Sequence, residues 1–232
     1  MGEPAARDAT GGVLSRPPLV IVCGAPGSGK TTLARRLGPA LGLPALCKDA
    51  FKEPLMDALG APDRARSREL GRAAIVALIT AASVVLDARI GVVVESNFVR
   101  GLSEPDLRAL ATRARAVVVH CATDRATTIQ RYAERAGRGE RHVGHFDVEV
   151  LPEVTAGLDD GRWEPPDLDA PLVRVDTTDG YAPDFDAIVR ACRRVHAVTN
   201  DHREGESRRI SDRGRRSGAR GPETRDGATR AP

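Results

Sequence analysis

Gly24-Ala25-Pro26-Gly27-Ser28-Gly29-Lys30-Thr31 sets three glycines, a lysine and a hydroxyl side chain in the order G-x-x-x-x-G-K-[ST]. Glycines let a backbone curl until several N–H groups converge on one point, and a chain of phosphates needs such a cradle. A helix starting near Gly29 adds the positive end of its dipole to the same point. Lys30 is then placed for the β- and γ-phosphates, and Thr31 offers its hydroxyl to Mg²⁺, with Thr32 beside it in the first helical turn. A purely structural strand-to-helix turn would explain the glycines but not the Lys-Thr pair. The implied nucleotide is ATP: the guanine motif N-K-x-D cannot occur, because the only lysines are Lys30, Lys48 and Lys52.

Three more constellations carry chemistry-capable side chains. Lys48-Asp49-Ala50-Phe51-Lys52 follows a short apolar run. Transfer of a phosphoryl group to a hydroxyl needs a carboxylate that orients the hydroxyl and accepts its proton, and Asp49 stands where one is wanted. Asp49 is equally suited to cap the helix that follows, and the two roles are compatible. Glu95-Ser96-Asn97 ends the run Val92-Val93-Val94. A carboxylate there can hold a metal-bound water or a substrate group, and Asn97 lies beside it; a residue turned to solvent at a strand end is the plainer reading. Arg131, Arg135 and Arg138 recur at i, i+4 and i+7, so they share one helical face, and Arg141, His142 and His145 follow in a Gly-rich loop. A lid bearing arginines would stabilise the charge of a transferring phosphoryl group and exclude water. The competing reading is a solvated face paired with Glu134 and Glu140. An H-x-x-H zinc pair at His142 and His145 lacks nearby cysteine partners.

The elements that must position these groups alternate along the chain. Leu19–Cys23 reads as a buried strand, and Leu33, Ala34, Leu37 and Leu41 mark one face of a helix closing at Gly42. Ala45–Lys48 reads as a second strand, 49–59 as a helix, and 64–89 as one or two helices with an apolar face of Leu70, Ala74, Ala77, Leu78, Ala81 and Val85. Strands follow at Gly91–Glu95, Val117–Cys121 and Pro171–Val175; helices follow at Ser103-Glu104-Pro105, after Asp124, up to about Leu158, and over Asp184–Ala197. Five strands separated by helices predict an α/β fold: a three-layer arrangement with a parallel sheet of about five strands, covered on both faces, and a mobile lid. In such sheets ligands sit beyond the carboxyl ends of the strands, where all of the candidate residues fall.

Composition bounds the rest. A chain of 232 residues accommodates one domain of this kind, expected over 17–200, between unstructured segments at 1–16 and 201–232. From Arg203 onward nine arginines face five acids, a net of +4, so the remainder of the +3 chain carries −1. Acids are interspersed in that tail and no aromatic is present to stack on bases, so a solvated extension is favoured over an RNA-binding arm. Of the 35 basic residues only three are lysines, and all three lie in the phosphate loop or just after it, which suggests sites that need a compact ammonium. Cys23, Cys47, Cys121 and Cys192 show no C-x-x-C spacing and read as small buried hydrophobes. No run of 18 uninterrupted apolar residues and no signal sequence occurs, so the expectation is a cytoplasmic protein without a membrane span.

Taken together, the loop Gly24–Thr31, the Asp49-x-x-Lys52 segment, the Glu95-Ser96-Asn97 strand end and the arginine lid resemble the phosphate-loop kinase group. That group includes zeta toxins, polynucleotide kinases and chloramphenicol phosphotransferase-like enzymes, among them small proteins called AAA-family ATPases. The likeness spans about residues 18–198. It implies an ATP- and Mg²⁺-dependent kinase that moves the γ-phosphoryl group to a hydroxyl of a small molecule or a nucleic-acid end, nucleic acid being possible but not required. In that group the Asp after the second strand is the general base, often in an Asp-x-x-Arg frame; here Lys52 replaces the arginine. The roles implied are Gly24 to Gly29 and Lys30 on the phosphates, Thr31 on Mg²⁺, and Asp49 as base. Glu95 serves metal or substrate, Lys52 and Asn97 the acceptor, and Arg131 and Arg135 the lid. The alternative is an ATP-binding regulatory or RNA-associated protein without phosphotransfer, which would have no need of Asp49.

Overall fold

The computed structural model describes residues 16–139 and 141–197. The segments read as unstructured, 1–16 and 201–232, lie outside these apart from Arg16. Five strands, β1 (Pro18–Gly24), β2 (Ala45–Cys47), β3 (Val92–Glu95), β4 (Arg115–Ala122) and β5 (Leu172–Asp176), form one sheet in the order β2-β3-β1-β4-β5. Each neighbouring pair is parallel. The chain returns to the same sheet edge through helices: α1 (Lys30–Leu41), α2 (Asp49–Leu59), α3 (Arg64–Asp87), α4 (Glu104–Ala111), α5 (Arg125–Arg138), α6 (Asp147–Asp159) and α7 (Phe185–Ala197). Parallel pairing requires such crossovers, and the near-continuous Val and Ile runs of β1, β3 and β4 suit strands buried on both faces.

Strand alternation divides the core in two. Val20, Val22, Val93, Val117 and Val119 point to one side, where Leu33, Ala34 and Leu37 of α1 and Ile188 and Cys192 of α7 cover them. Leu19, Ile21, Val92, Val94 and Val118 point to the other, beneath Leu78, Ala82 and Leu86 of α3 and Leu107 and Leu110 of α4. These are the three expected layers. The four cysteines are free and buried, as expected of small hydrophobes, and burial pushes the Cys192 thiol up to about 11 and the Cys121 thiol to about 12.

Within segment 64–89 a single helix, Arg64–Asp87, has its start fixed by Asp63, which accepts from the Arg66 amide at 2.8 Å. Its buried row is Ser67, Leu70, Ala74, Leu78, Ala82 and Leu86, an i+3 step followed by i+4 steps. The sequence reading placed Ala77, Ala81 and Val85 on that face, and they are only partly covered. Sequence periodicity alone was ambiguous there because both faces are apolar; Val76 and Val84 are exposed. For the same reason α3, with a mean hydropathy of 1.8 over its most apolar 18 residues, is by length and composition long and apolar enough to cross a bilayer, which a search for uninterrupted apolar runs passes over. Leu78, Ala82 and Leu86 of its buried row pack onto this sheet.

Candidate active site

The carboxyl ends of the five strands deliver Gly24, Cys47, Glu95, Ala122 and Asp176 to one edge, and the phosphate loop, Asp49 and Asn97 follow directly beyond them. Gly24 leaves β1 with φ 141°, and a Cβ there would lie 2.2 Å from the Cys121 carbonyl oxygen of the neighbouring strand. Gly27, at φ 91°, runs so close to α5 that a Cβ would meet the Thr128 carbonyl at 2.9 Å. Gly29 caps α1 in the left-handed region at φ 75°. The tight curl and the missing side chains therefore have a steric cause at each position. Ala25 and Pro26 complete the loop, and Ser28 closes it by donating its amide to the Ala25 carbonyl at 3.1 Å. The buried Ser28 Oγ has no hydrogen-bond partner among the described residues. From below, the Thr177 hydroxyl after β5 lies 2.8 Å from the Ser28 carbonyl.

Lys30 lies partly buried at the start of α1, where its Nζ donates to the Ala25 carbonyl at 3.2 Å. Burial lowers its pKa; the carboxylates of Glu95 and then Asp49 oppose the shift. Thr31 follows, half-buried, and Thr32 is exposed. Glu95 is 3% exposed at the end of β3, in register with Cys47 of β2 and Val22 of β1, and its carbonyl accepts the Lys48 amide at 2.9 Å. It points to the α1 side of the sheet, continuing the alternation from Val93. Glu95 and the phosphate loop are thus neighbours. Asn97 is partly buried next to it, its Oδ1 accepting from Ser96 Oγ at 3.3 Å.

Asp49 opens α2 with its carboxylate between two cations: Lys48 Nζ at 3.5 Å and the Arg141 guanidinium, which donates to Oδ2. Burial would raise its pKa, but Lys48 and Arg141, with Lys30 farther off, outweigh that and hold it far below the usual carboxylate range. Lys52, one turn on, is only 7% exposed, and its Nζ donates to the neutral Ser67 hydroxyl of α3 at 3.0 Å. Burial, then the like charge of Lys48, bring its pKa down to about 8.

The three arginines of α5 do not converge. Arg131 donates to the Thr177 and Thr178 carbonyls at 2.9 and 2.7 Å and so ties α5 to the loop after β5. Arg138 is exposed. Arg135 is partly buried over the Tyr132 ring at 4.9 Å, with Nε and one terminal nitrogen lacking hydrogen-bond partners among the described residues. Burial lowers its pKa, and nearby Arg141 adds to this.

Sequence reading missed how the segment 141–147 engages α2. Asp49, Glu53 and Asp57 repeat every fourth residue and so form one acidic stripe. Arg141 serves Asp49, His145 Nε2 donates to Glu53 at 3.0 Å, and His142 Nε2 donates to Asp57 at 3.1 Å. In this tautomer, assigned from the network, His145 Nδ1 accepts from Arg141 at 2.9 Å. Burial, reinforced by Arg141, drops the His145 pKa to about 3, so its ring is neutral. Arg141 also donates to Asp147 at 2.9 Å. Asp49, Glu53 and His145 present ligand-type atoms within 4.8 Å of one another, the spacing of a metal triad, but the Arg141 guanidinium bonds two of the three. The i+4 acids were visible in the sequence; their partners, more than 80 residues away, were not.

A parallel sheet in this order, with a glycine-cradled loop at the end of its central strand and a carboxylate at the end of the next, defines a phosphate-loop protein of the kinase-like type. The family model described as AAA domain matches residues 19–157, and the chain belongs to that family. Among solved structures, a provisionally named kinase from Chloroflexus aurantiacus is 35% identical, with a TM-score of 0.66 over 78% of this chain and 99% of that one. A gluconokinase from Sinorhizobium meliloti (21% identity, 79% and 95% covered, TM-score 0.48) is a more distant likeness. So is the adenylylsulfate (APS) kinase of Mycobacterium tuberculosis, whose structure holds AMPPNP and APS (19%, 78% and 98%, TM-score 0.48). A likeness of that degree concerns chain outline and says nothing about substrate. No curated protein matches the sequence.

Proposed function

We propose that this chain is an ATP-dependent phosphotransferase that moves the γ-phosphoryl group to a hydroxyl of a small molecule or a nucleic-acid end. The observation that carries the reading is the placing of Asp49: a carboxylate held ionised by Lys48 and Arg141, facing the same edge as Lys30 and Glu95. A nucleotide sensor needs the loop but not this group.

The residues fit the nucleotide and its metal. No Cβ fits at Gly24 or Gly27 against the Cys121 and Thr128 carbonyls, so the loop keeps its tight curl, and among the described residues the Ser28 hydroxyl and two Arg135 guanidinium nitrogens make no hydrogen bond. Lys30 and the loop amides would bind the phosphates, with Thr31 and Glu95 holding Mg²⁺ directly or through water. Bound Mg²⁺ supplies neutralisation of the charge on the phosphate oxygens. Asp49 orients the acceptor hydroxyl and takes its proton as the acceptor oxygen bonds to the γ-phosphorus and the bond from that phosphorus to the β,γ-bridging oxygen breaks, ADP leaving; the Asp49 carboxylate, held well below its ordinary range, is ionised for this step. Arg135 and Arg141 face the charge that spreads over the transferring group and, with the 141–147 segment docked on α2, exclude water. Arg131 holds the loop after β5 against α5. Lys52 and Asn97 line the acceptor side, where Lys52 offers a compact ammonium in place of an arginine fork.

The test is a screen of hydroxyl compounds and 5′-hydroxyl oligonucleotides for transfer of label from γ-labelled ATP, run with wild type and Asp49→Asn. Loss of a general base costs about 10² to 10⁴ in rate. Asn keeps the side chain's size, so ATP affinity by calorimetry should be unchanged while transfer falls by that factor. Transfer at the wild-type rate in Asp49→Asn would remove Asp49 from the chemistry and the reading with it.

A further inference from the structure

Resting on that reading, we infer that Asp147 is the positioning residue of the lid: its carboxylate sets the guanidinium groups of Arg135 and Arg141 for the transferring phosphoryl group while limiting the hold of Arg141 on Asp49. Neither residue type nor spacing singled it out in the sequence, where it is one of many acids opening a helix.

Asp147 is the first residue of α6, preceded by Phe146 in the left-handed region at φ 54°. A carboxylate in the first turn of a helix is favoured by the unpaired amides there. Its side chain is 10% exposed and accepts from two other parts of the lid, the Tyr132 hydroxyl at 2.8 Å and Arg141 Nη1 at 2.9 Å, while Arg135 Nε stands 3.8 Å away as an ion pair without a hydrogen bond. Tyr132 is itself buried, and burial followed by the charge of Asp147 raises its pKa, so it remains a donor. The carboxylate is thereby fixed by a neutral group and left with its charge to share between two cations.

Those cations repel each other, Arg141 being the foremost charge that lowers the pKa of Arg135. Asp147 is the anion between them that lets both guanidinium groups face one site. Arg141 has a second suitor in Asp49, which takes Nη2. With Nη1 on Asp147, the pair Arg141–Asp49 is single-pronged; without Asp147, both prongs are free to close on Asp49, where a bidentate pair is the stronger arrangement. Removing the Asp147 charge therefore does two things at once. It lets Arg135 and Arg141 drift apart, and it engages the base more tightly. Both act on turnover, not on the grip of the phosphate loop on nucleotide.

The experiment uses the full chain as wild type, Asp147→Asn and Asp147→Glu, with MgATP hydrolysis (water as acceptor) giving kcat and KM, AMPPNP calorimetry giving affinity, and melting temperature as the check on folding. Asp147→Asn should lower kcat by about 10² with AMPPNP affinity within about threefold of wild type, since misplacing one charge-stabilising donor costs about that much in rate. Asp147→Glu, which keeps the charge, should recover at least about tenfold of the loss. An unchanged kcat per folded molecule in Asp147→Asn, or equal loss in both variants alongside a lowered melting temperature, would show that Asp147 only packs the lid. If wild type binds AMPPNP without hydrolysing ATP, the arginine Nε–H resonances decide, assigned with Arg135→Lys and Arg141→Lys. Mg·AMPPNP should shift and protect both signals in wild type and not in Asp147→Asn, and the same response in the two proteins overturns the inference. Failure of wild type to bind AMPPNP at all would instead overturn the phosphotransferase reading, and this inference with it.

Discussion

Lys52→Met should make the protein more stable at pH 7 and less able to hold an acceptor. Lys52 is 7% exposed, and its ammonium donates to the neutral Ser67 hydroxyl, with like-charged Lys48 nearby. Its pKa falls from the ordinary 10.5 to about 8, burial being the main cause. Each pKa step is about 1.4 kcal/mol, so keeping the proton at pH 7 costs the fold about 3 kcal/mol. Met has nearly the same length and no charge, and its thioether fits irregular space. Against the gain stands the lost hydrogen bond to buried Ser67, about 1 kcal/mol. The net expectation is a stabilisation of about 2 kcal/mol, or a rise in melting temperature of about 4–8 °C for a chain of this size. The sign with pH is definite. The folded pKa is the lower one, so between pH 8 and 10.5 the unfolded chain binds the extra proton, and wild type gains stability as pH rises through that window. The advantage of Lys52→Met should therefore shrink from pH 8 to near pH 10.5. Urea titrations at pH 7 and pH 10 measure both quantities, with AMPPNP affinity as a control for the phosphate loop. A variant destabilised by more than about 1 kcal/mol at pH 7, or an advantage that persists at pH 10, would refute the view of Lys52 as a buried, poorly compensated cation.

Two further outcomes follow from geometry already described. Gly24→Ala should cost about 2–5 kcal/mol, the sum of overpacking and an unfavourable positive φ, because the added Cβ would lie 2.2 Å from the Cys121 carbonyl at φ 141°; an unaltered denaturation midpoint would contradict the steric origin of this glycine. Acidification should destabilise the protein through His145. Its folded pKa of about 3 lies below the ordinary 6.5, so the unfolded chain takes up a proton that the fold does not, and stability falls as pH drops from 6.5 towards 3. Glu53 and Asp49 favour the charged ring, but burial, Arg141, Lys52 and Lys48 oppose it. The slope is about 1.4 kcal/mol per pH unit at most, so wild type should lose about 2 kcal/mol more than His145→Gln between pH 6.5 and 5. His120, also depressed by burial, is common to both proteins and cancels in the comparison; equal losses would mean the ring is already protonated in the fold.

What was legible in the sequence was whatever is encoded locally. The phosphate loop is a steric and electrostatic device built from eight consecutive residues, so Gly24, Gly27 and Gly29 declare their backbone geometry by type alone. The strands announced themselves because a parallel sheet buried on both faces demands unbroken Val and Ile runs, and the start of α5 because Asp124 is a good cap. Illegible were the partners that meet only through the fold. Arg131, Arg135 and Arg138 share a helical face by spacing, yet one guanidinium goes to the loop after β5 and another toward Asp147, because the target of a long side chain is set by what the opposite surface offers. Lys52 read as a cation for a substrate, but its burial and its neutral partner Ser67 depend on α3, whose two apolar faces left its rotation open. The acidic stripe Asp49, Glu53, Asp57 and the Arg141, His142, His145 segment were each visible as a pattern of charge. Joining them requires the crossing of α2 by the segment after α5, a consequence of sheet order β2-β3-β1-β4-β5 that no local window contains. The candidate site is thus a local motif joined to long-range contacts, and perturbing Asp147 or Lys52 tests the part that only the fold specifies.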